Sequence, residues 1–357
     1  MFATGGAAQP YGPGNPPPWG AGGAVTHVSR VDVHMHLVGG ALKVFGDAVE
    51  NCVATMEQFK VTRAVLMSPP QVRANNFDFP DFLPEVRRYG NRFAFLAGGG
   101  TLNPMLHAHR DPGSVTPDVK REFVDTANKL LDQGAIGFGE IAVLHLSLLD
   151  RHPFEQVPPT HPLVLALAEV ADQHKLVIDL HMDAVPSPSM STPQSLKSPP
   201  NPSTLDGNIT GFERLLAEHR NARIVWAHGG SDLTGNLTPA LVGRLMDAHP
   251  NLFMSLRPVP PQVNSINPFG LRFYNLILTQ AGIEPGWLAL LRRHSDRFVM
   301  GSDSFFVSSA ANPEGAPARL GRANQGRLAA ASAMLSKLPP ELQAKITLKN
   351  PARIYRF

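Results

Sequence analysis

From residue 29 onward, short β-branched runs alternate with longer stretches of helical periodicity, and no other feature constrains the fold as tightly. The runs read SRVDVHMHL (29–37), TRAVLMS (62–68), RFAFLAGG (92–99), GAIGFGEI (134–141), KLVIDLHM (175–182), ARIVWAHG (222–229), NLFMSLRP (251–258) and DRFVMGSD (296–303). Helices are expected at about 46–60, 80–90, 117–133, 161–174, 210–220, 237–249, 285–294 and 322–338, one behind each run. Eight such units in a chain of 357 residues predict an α/β fold of the (β/α)8 TIM-barrel type in a single domain. A doubly wound open sheet usually has fewer strands and a Gly-rich first turn. GGGTLNP (98–104) follows a strand but lacks the G-x-G-x-x-G spacing, which argues against dinucleotide binding.

Two connections are long: 183–209 after the fifth strand and 257–284 after the seventh. Loops of this length in a compact barrel commonly wall or cover a site, and the second carries Phe269, Phe273 and Tyr274, which could supply an apolar surface. The segment LPPELQAKITLKNPARIYRF is expected to form a last helix under the barrel. Residues 1–28 are read as a flexible arm, because the stretch 2–23 is too rich in Gly and Pro for a regular element.

Charged residues make up 17% of the chain and the formal net charge is +3, too weak an excess to imply a nucleic-acid or membrane surface. No basic stripe interleaved with aromatics appears, so nucleic acid is not an expected partner. Cys52 is the only cysteine, which excludes an internal disulfide and a cysteine-built zinc site. No apolar run has the length of a membrane span, and a cytoplasmic location is expected, an export signal removed upstream of Met1 being the alternative. A homodimer is the default expectation for assembly.

The strands of such a barrel converge at their C-terminal ends on one mouth. His34 and His36 alternate on one face of the first strand; Glu140 ends the fourth, His181 the fifth, His228 the sixth and Asp303 the eighth. Each alone has an ordinary reading, a hydrogen-bonded core histidine or, for Asp303 in GSDS, a helix cap. Together, six nitrogen and oxygen donors at one mouth would leave costly unpaired groups unless a cation neutralised them. A divalent metal centre is therefore expected. Zinc suits these donors, which also accept manganese, iron, cobalt or nickel. Asp32 is read as facing away from His34, in an orienting or packing role. Candidates for substrate contact are His145, five residues past Glu140, together with Asp183 and Asn103. Arg257, ending the seventh strand, could grip a carboxylate or phosphate with its paired donors, or form a salt bridge to a loop acid.

The motifs D-V-H-M-H, H-M-D, A-H-G-G and G-S-D-S resemble those of strands one, five, six and eight in the amidohydrolase superfamily, more closely its amidohydrolase-related branch of hydrolases, lactonases and decarboxylases. PGWLALLRRHSDRFVMGSDSF (285–306) and KNPARIY (349–355) are similar to the same branch, so the resemblance covers nearly the whole chain after the arm. It implies one metal on His34 and His36 with Asp303 shared between metal and reactive water, a second on His181 and His228, and Glu140 at the bridging position. GFGEI also resembles the strand-four segment of TatD-type deoxyribonucleases, which keeps phosphoesters among the bonds considered.

The chemistry so implied is attack on a small-molecule ester, lactone, amide or phosphoester by a metal-activated hydroxide, with Asp303 as proton acceptor and donor. Two readings compete with it. One is a mononuclear decarboxylase of an aromatic or unsaturated acid, which Glu140 argues against; the other is a metal-binding barrel without turnover.

Overall fold

The computed structural model describes residues 27–73, 77–148, 153–196, 200–261, 271–311 and 316–356, with side chains from 320 onward in the last stretch. The expected arm up to residue 26, and Phe269, lie outside the described residues.

Eight parallel strands form the barrel: β1 (Arg30–Val38), β2 (Val61–Met67), β3 (Phe93–Phe95 and Ala97–Gly98), β4 (Gly137–His145), β5 (Val177–Met182), β6 (Arg223–Gly229), β7 (Leu252–Leu256) and β8 (Phe298–Met300, resumed at Ser304–Val307). Pairing runs in sequence order from β1 to β8 and back to β1, every pair parallel. The ring closes through the two interrupted strands. The first piece of β3 bonds to β2 and the second to β4; the first piece of β8 bonds to β7 and the second to β1. Closure leaves the parallel strands no free edge.

The helices are α1 (Gly46–Gln58), α2 (Phe79–Val86), α3 (Leu102–Ala108), α4 (Pro117–Asp132), α5 (Pro162–His174), α6 (Ile209–Glu218), α7 (Pro239–Ala248), α8 (Pro285–Arg293), α9 (Ala316–Leu335), α10 (Pro340–Ala344) and the C-terminal helix α11 (Asn350–Tyr355). Several begin with proline behind a capping side chain: Thr116, Thr238 and Glu284 accept from the N–H of Val119, Leu241 and Trp287. The short α3 was not expected, because the seven residues LNPMLHA show too little periodicity to register.

Apolar residues sort into two layers. Val31, Val33, Val65, Leu96, Val177, Val225, Phe253 and Val299 fill the barrel interior together with Ile354 and Tyr355 of the C-terminal helix. That helix closes the lower end, where Arg223 at the start of β6 donates to the Ile354 carbonyl. A larger cluster, including Met35, Leu37, Trp226 and Phe298, fills the space between strands and helices.

Side chains do not keep strict alternation along these strands. In β1, Val31 and Val33 face inward, while Arg30 reaches the Phe59 carbonyl (3.1 Å) and Ser332 of α9 (3.2 Å) on the outer side. A register shift between Asp32 and Met35 then reverses the faces, so that Met35 and Leu37 pack outward and the histidines turn in. Asp32 accordingly faces away from His34, as expected, but through a bulge and not through alternation, since residues two apart would otherwise share a face. Its Oδ1 accepts from the backbone N–H of His34 (3.2 Å) and Ser302 (3.0 Å) and ties the bulge to β8. Similar shifts lie between Phe138 and Ile141 in β4 and between Trp226 and Gly229 in β6.

β4 is longer than expected, because Glu155–Gln156 pairs antiparallel with Leu144 and His145 and extends it past Glu140. The connection after β5 contains a hairpin of Ser189–Ser191 with Thr204–Asp206. Among the described residues no helix is long and apolar enough to cross a membrane.

Candidate metal centre

The six donors expected at the mouth are brought together, within three overlapping groups: His34, His36 and Glu140; His34, His228 and Asp303; and Glu140, His181 and His228. All are buried or nearly so. His34 Nε2 and His36 Nε2 face each other at 3.0 Å. Glu140 Oε2 lies 3.6 Å from the first and 3.4 Å from the second. Its other oxygen, Oε1, lies 2.6 Å from His181 Nδ1 and 3.2 Å from His228 Nε2. Asp303 Oδ1, from the second group, adjoins the same pair of imidazoles at 3.3 Å from His36 Nε2 and 3.9 Å from His34 Nε2.

Backbone geometry aims two of these groups. His228 (φ 73) lies within the β6 shift, and Asp303 (φ 54) sits at the break in β8, both in the left-handed region that side chains seldom adopt. Such strain persists only where the surroundings over-determine it, as at functional sites. Glu140 lies within the β4 shift, so the pairing of each strand, and not its local sequence, points the ligand inward.

The hydrogen-bond partners decide whether a cation fits. His36 Nδ1 lies 3.3 Å from the Met67 carbonyl, which can only accept, so Nδ1 carries the proton and Nε2 presents a lone pair. His34 Nδ1 lies 3.2 Å from the Asp179 carboxylate, with the same consequence. Two imidazole lone pairs, Glu140 Oε2 and Asp303 Oδ1 therefore converge with no donor among them, an arrangement a divalent cation satisfies. Protons compete for these positions. Burial opposes charging His34, but the Asp179 and Glu140 carboxylates outweigh it and raise its pKa well above the ordinary value. Burial likewise opposes charging His181, yet Glu140 and Asp183 lift it to about 9. Against the burial that would raise them, Glu140 is held well below the usual carboxylate range by His34 and His181, and Asp303 by Arg327 and His228.

The remaining candidates divide. His145 stacks edge-on against His181, ring centroids 4.5 Å apart, and Asp183 Oδ2 lies 3.8 Å from His181 Nε2; both belong to the rim of the site. Asn103 does not. It is fully buried, donating to Glu155 (3.0 Å) and the Gln71 carbonyl (3.1 Å) and accepting from Ala142 N–H (2.9 Å), because α3 turns it behind β4. Arg257 is buried too: Nη1 donates to Asp303 Oδ2 (2.6 Å), Nε to Ser231 Oγ (2.6 Å) and Nη2 to the Ser231 carbonyl (3.3 Å). Its acid partner is thus Asp303 itself, which takes up the fork expected to meet substrate.

Two residues of the centre escaped the sequence reading. Asp179 precedes His181 by two in β5 and shares its inward face; a carboxylate inside the apolar run VIDLHM was the available signal. Arg327, on α9, donates from Nη1 to the Asp303 carbonyl and lies 3.6 Å from Asp303 Oδ2. Nothing in its sequence neighbourhood marks it, since arginines on that helix look like ordinary surface charges.

The profile of the amidohydrolase family matches residues 31–357. The chain belongs to the amidohydrolase family. It is a metal-dependent enzyme of the hydrolase type acting on small molecules, and its centre takes a divalent metal. Among solved structures, a mutant organophosphorus hydrolase from Deinococcus radiodurans shares the fold with a TM-score of 0.55 at 17% identity, over 93% of this chain and 94% of the other. A probable 2-pyrone-4,6-dicarboxylic acid hydrolase from Acinetobacter baumannii aligns at a TM-score of 0.49 and 12% identity, over 92% of this chain and 100% of its own. A dihydroxybenzoic acid decarboxylase from Polaromonas sp. JS666, with bound manganese and an inhibitor, aligns at 0.49 and 13%, over 92% and 97%. A search of curated proteins gave no match.

Proposed function

We propose that this amidohydrolase is a binuclear hydrolase of an ester, lactone, amide or phosphoester, with zinc as the metal its donors suit best. The observation that carries the reading is the division of Glu140: one oxygen faces the His34 and His36 pair, the other the His181 and His228 pair. A carboxylate between two sets of imidazoles is the arrangement a bridging ligand requires, with one set of nitrogen donors for each cation. His34 and His36 would hold one cation, His181 and His228 the other.

Bound divalent cations supply Lewis acidity toward the substrate oxygen and lower the pKa of water enough to give a nucleophile near neutral pH. The protein's own groups do the rest. Arg257 fixes Asp303 through Oδ2, leaving Oδ1 on the side of His36. Asp303 Oδ1 accepts the proton of the attacking water and returns it to the leaving group as the bond breaks. Asp179 holds His34 in one tautomer. His145 and Asp183, beside His181, contact the substrate at the rim.

Elemental analysis of protein purified without added metal, wild type beside Glu140→Ala and His181→Ala, tests the reading. Two equivalents per chain, falling toward one in both variants, followed by turnover on an ester, lactone and phosphoester panel, is the expected result. One equivalent unaffected by Glu140→Ala would refute the bridge and bring forward a mononuclear decarboxylase. Full metal content without turnover, with Asp303→Asn altering only stability, would leave a silent barrel.

A further inference from the structure

Arg327 carries a charge that the described residues answer only in part. Two guanidinium groups, Arg257 and Arg327, converge on the single carboxylate of Asp303. That carboxylate is already divided, Oδ2 receiving Arg257 at 2.6 Å and Oδ1 turned toward His36 at 3.3 Å. Arg257 spends three donors on Asp303 and Ser231 and is 8% exposed. Arg327 engages the described residues through Nη1 alone, on the Asp303 carbonyl and near its Oδ2. Its Nε and Nη2 have no hydrogen-bond partner among the described residues, and a quarter of the side chain is open, at 25% exposure. A guanidinium presents its Nε and Nη2 donors as a planar edge that matches two oxygens of a carboxylate or phosphoryl group.

We propose that the free edge of Arg327 binds an oxyanion of the substrate, a carboxylate or a phosphoryl group, so that the substrates are acids and not neutral esters or amides. The reaction itself rests on the hydrolase reading above; the anion site does not. Because the opposite edge of the same guanidinium touches Asp303, an oxyanion seated there lies beside the group that handles the proton. The role expected of Arg257 thereby passes to Arg327, with Arg257 retained as the residue that positions Asp303.

The test is calorimetric titration of the protein with succinate and, separately, inorganic phosphate, for wild type, Arg327→Gln and Arg327→Lys, each checked by circular dichroism and metal analysis. Wild type is expected to bind one of the two more tightly, which identifies the oxyanion. Arg327→Gln should weaken that binding by about tenfold or more, and Arg327→Lys, which keeps the charge and loses the fork, by less. Metal analysis of the protein as purified and titration after chelation separate the two readings: fewer than two equivalents before chelation undermines the binuclear centre, whereas the dependence on Arg327 should survive in the chelated protein. In the metal-loaded enzyme, a preference for monomethyl over dimethyl succinate, carried in KM, should shrink in Arg327→Gln. Failure of wild type to bind either anion, or equal affinity in folded wild type and Arg327→Gln, would overturn the proposal.

Discussion

Replacing Asp179 by asparagine isolates the argument on which the metal centre rests. Both oxygens of Asp179 lie 3.2 Å from His34 Nδ1, and both side chains are fully buried. The carboxylate forces the proton onto Nδ1 and leaves the Nε2 lone pair for the cation. A hydrogen bond to a charged acceptor contributes about 1.5–3 kcal/mol, a neutral one about 0.5–1.5 kcal/mol, so the exchange loses about 1–2 kcal/mol. The asparagine amide also brings two N–H groups into a site built for an acceptor, adding about 1 kcal/mol or more when one is left unpaired. The sum, about 2–3 kcal/mol, corresponds to about 30–150-fold weaker metal binding. Competition against a chromophoric zinc chelator at pH 7.5, with the urea midpoint measured alongside, reads the effect. An affinity within twofold of wild type in a folded variant would refute the reasoning, since the tautomer of His34 would then owe nothing to Asp179.

Two further perturbations address stability. Burial pushes the Glu155 carboxyl up to about 7, with Asn103 opposing, so this group favours the folded state fully below its unfolded pKa and ceases to do so as pH rises through about 7. Glu155→Gln should therefore gain stability relative to wild type between pH 5 and pH 8, by about 3 kcal/mol at most, and parallel denaturation curves at the two pH values would rule this out. Tyr355 is 2% exposed at the base of the barrel interior. Tyr355→Ala should cost about 3–5 kcal/mol in chemical denaturation, and a loss below 1 kcal/mol would mean that the C-terminal helix is not the plug described.

What the chain alone determined follows from connectivity. Eight strand-and-helix periods can bury their apolar faces together by closing into a ring, and in that ring the strand ends meet whatever lies between them. Hence His34, His36, Glu140, His181, His228 and Asp303 could be named as one cluster from their positions at the ends of five runs, and the structure brings them together. Only the tertiary structure decided how each was aimed. The inward turn of the β1 histidines, of Glu140 and of His228 depends on register shifts, which arise from hydrogen bonding to neighbouring strands distant in sequence. The same holds for charge pairing. Arg257 and Asp303 are 46 residues apart, and their 2.6 Å contact exists because β7 and β8 are adjacent. Asp179 under His34, Asn103 behind β4 and Arg327 beside Asp303 are likewise partnerships between separate elements. Local sequence carries the identity of a side chain and the period of its strand; its partner is a property of the closed barrel.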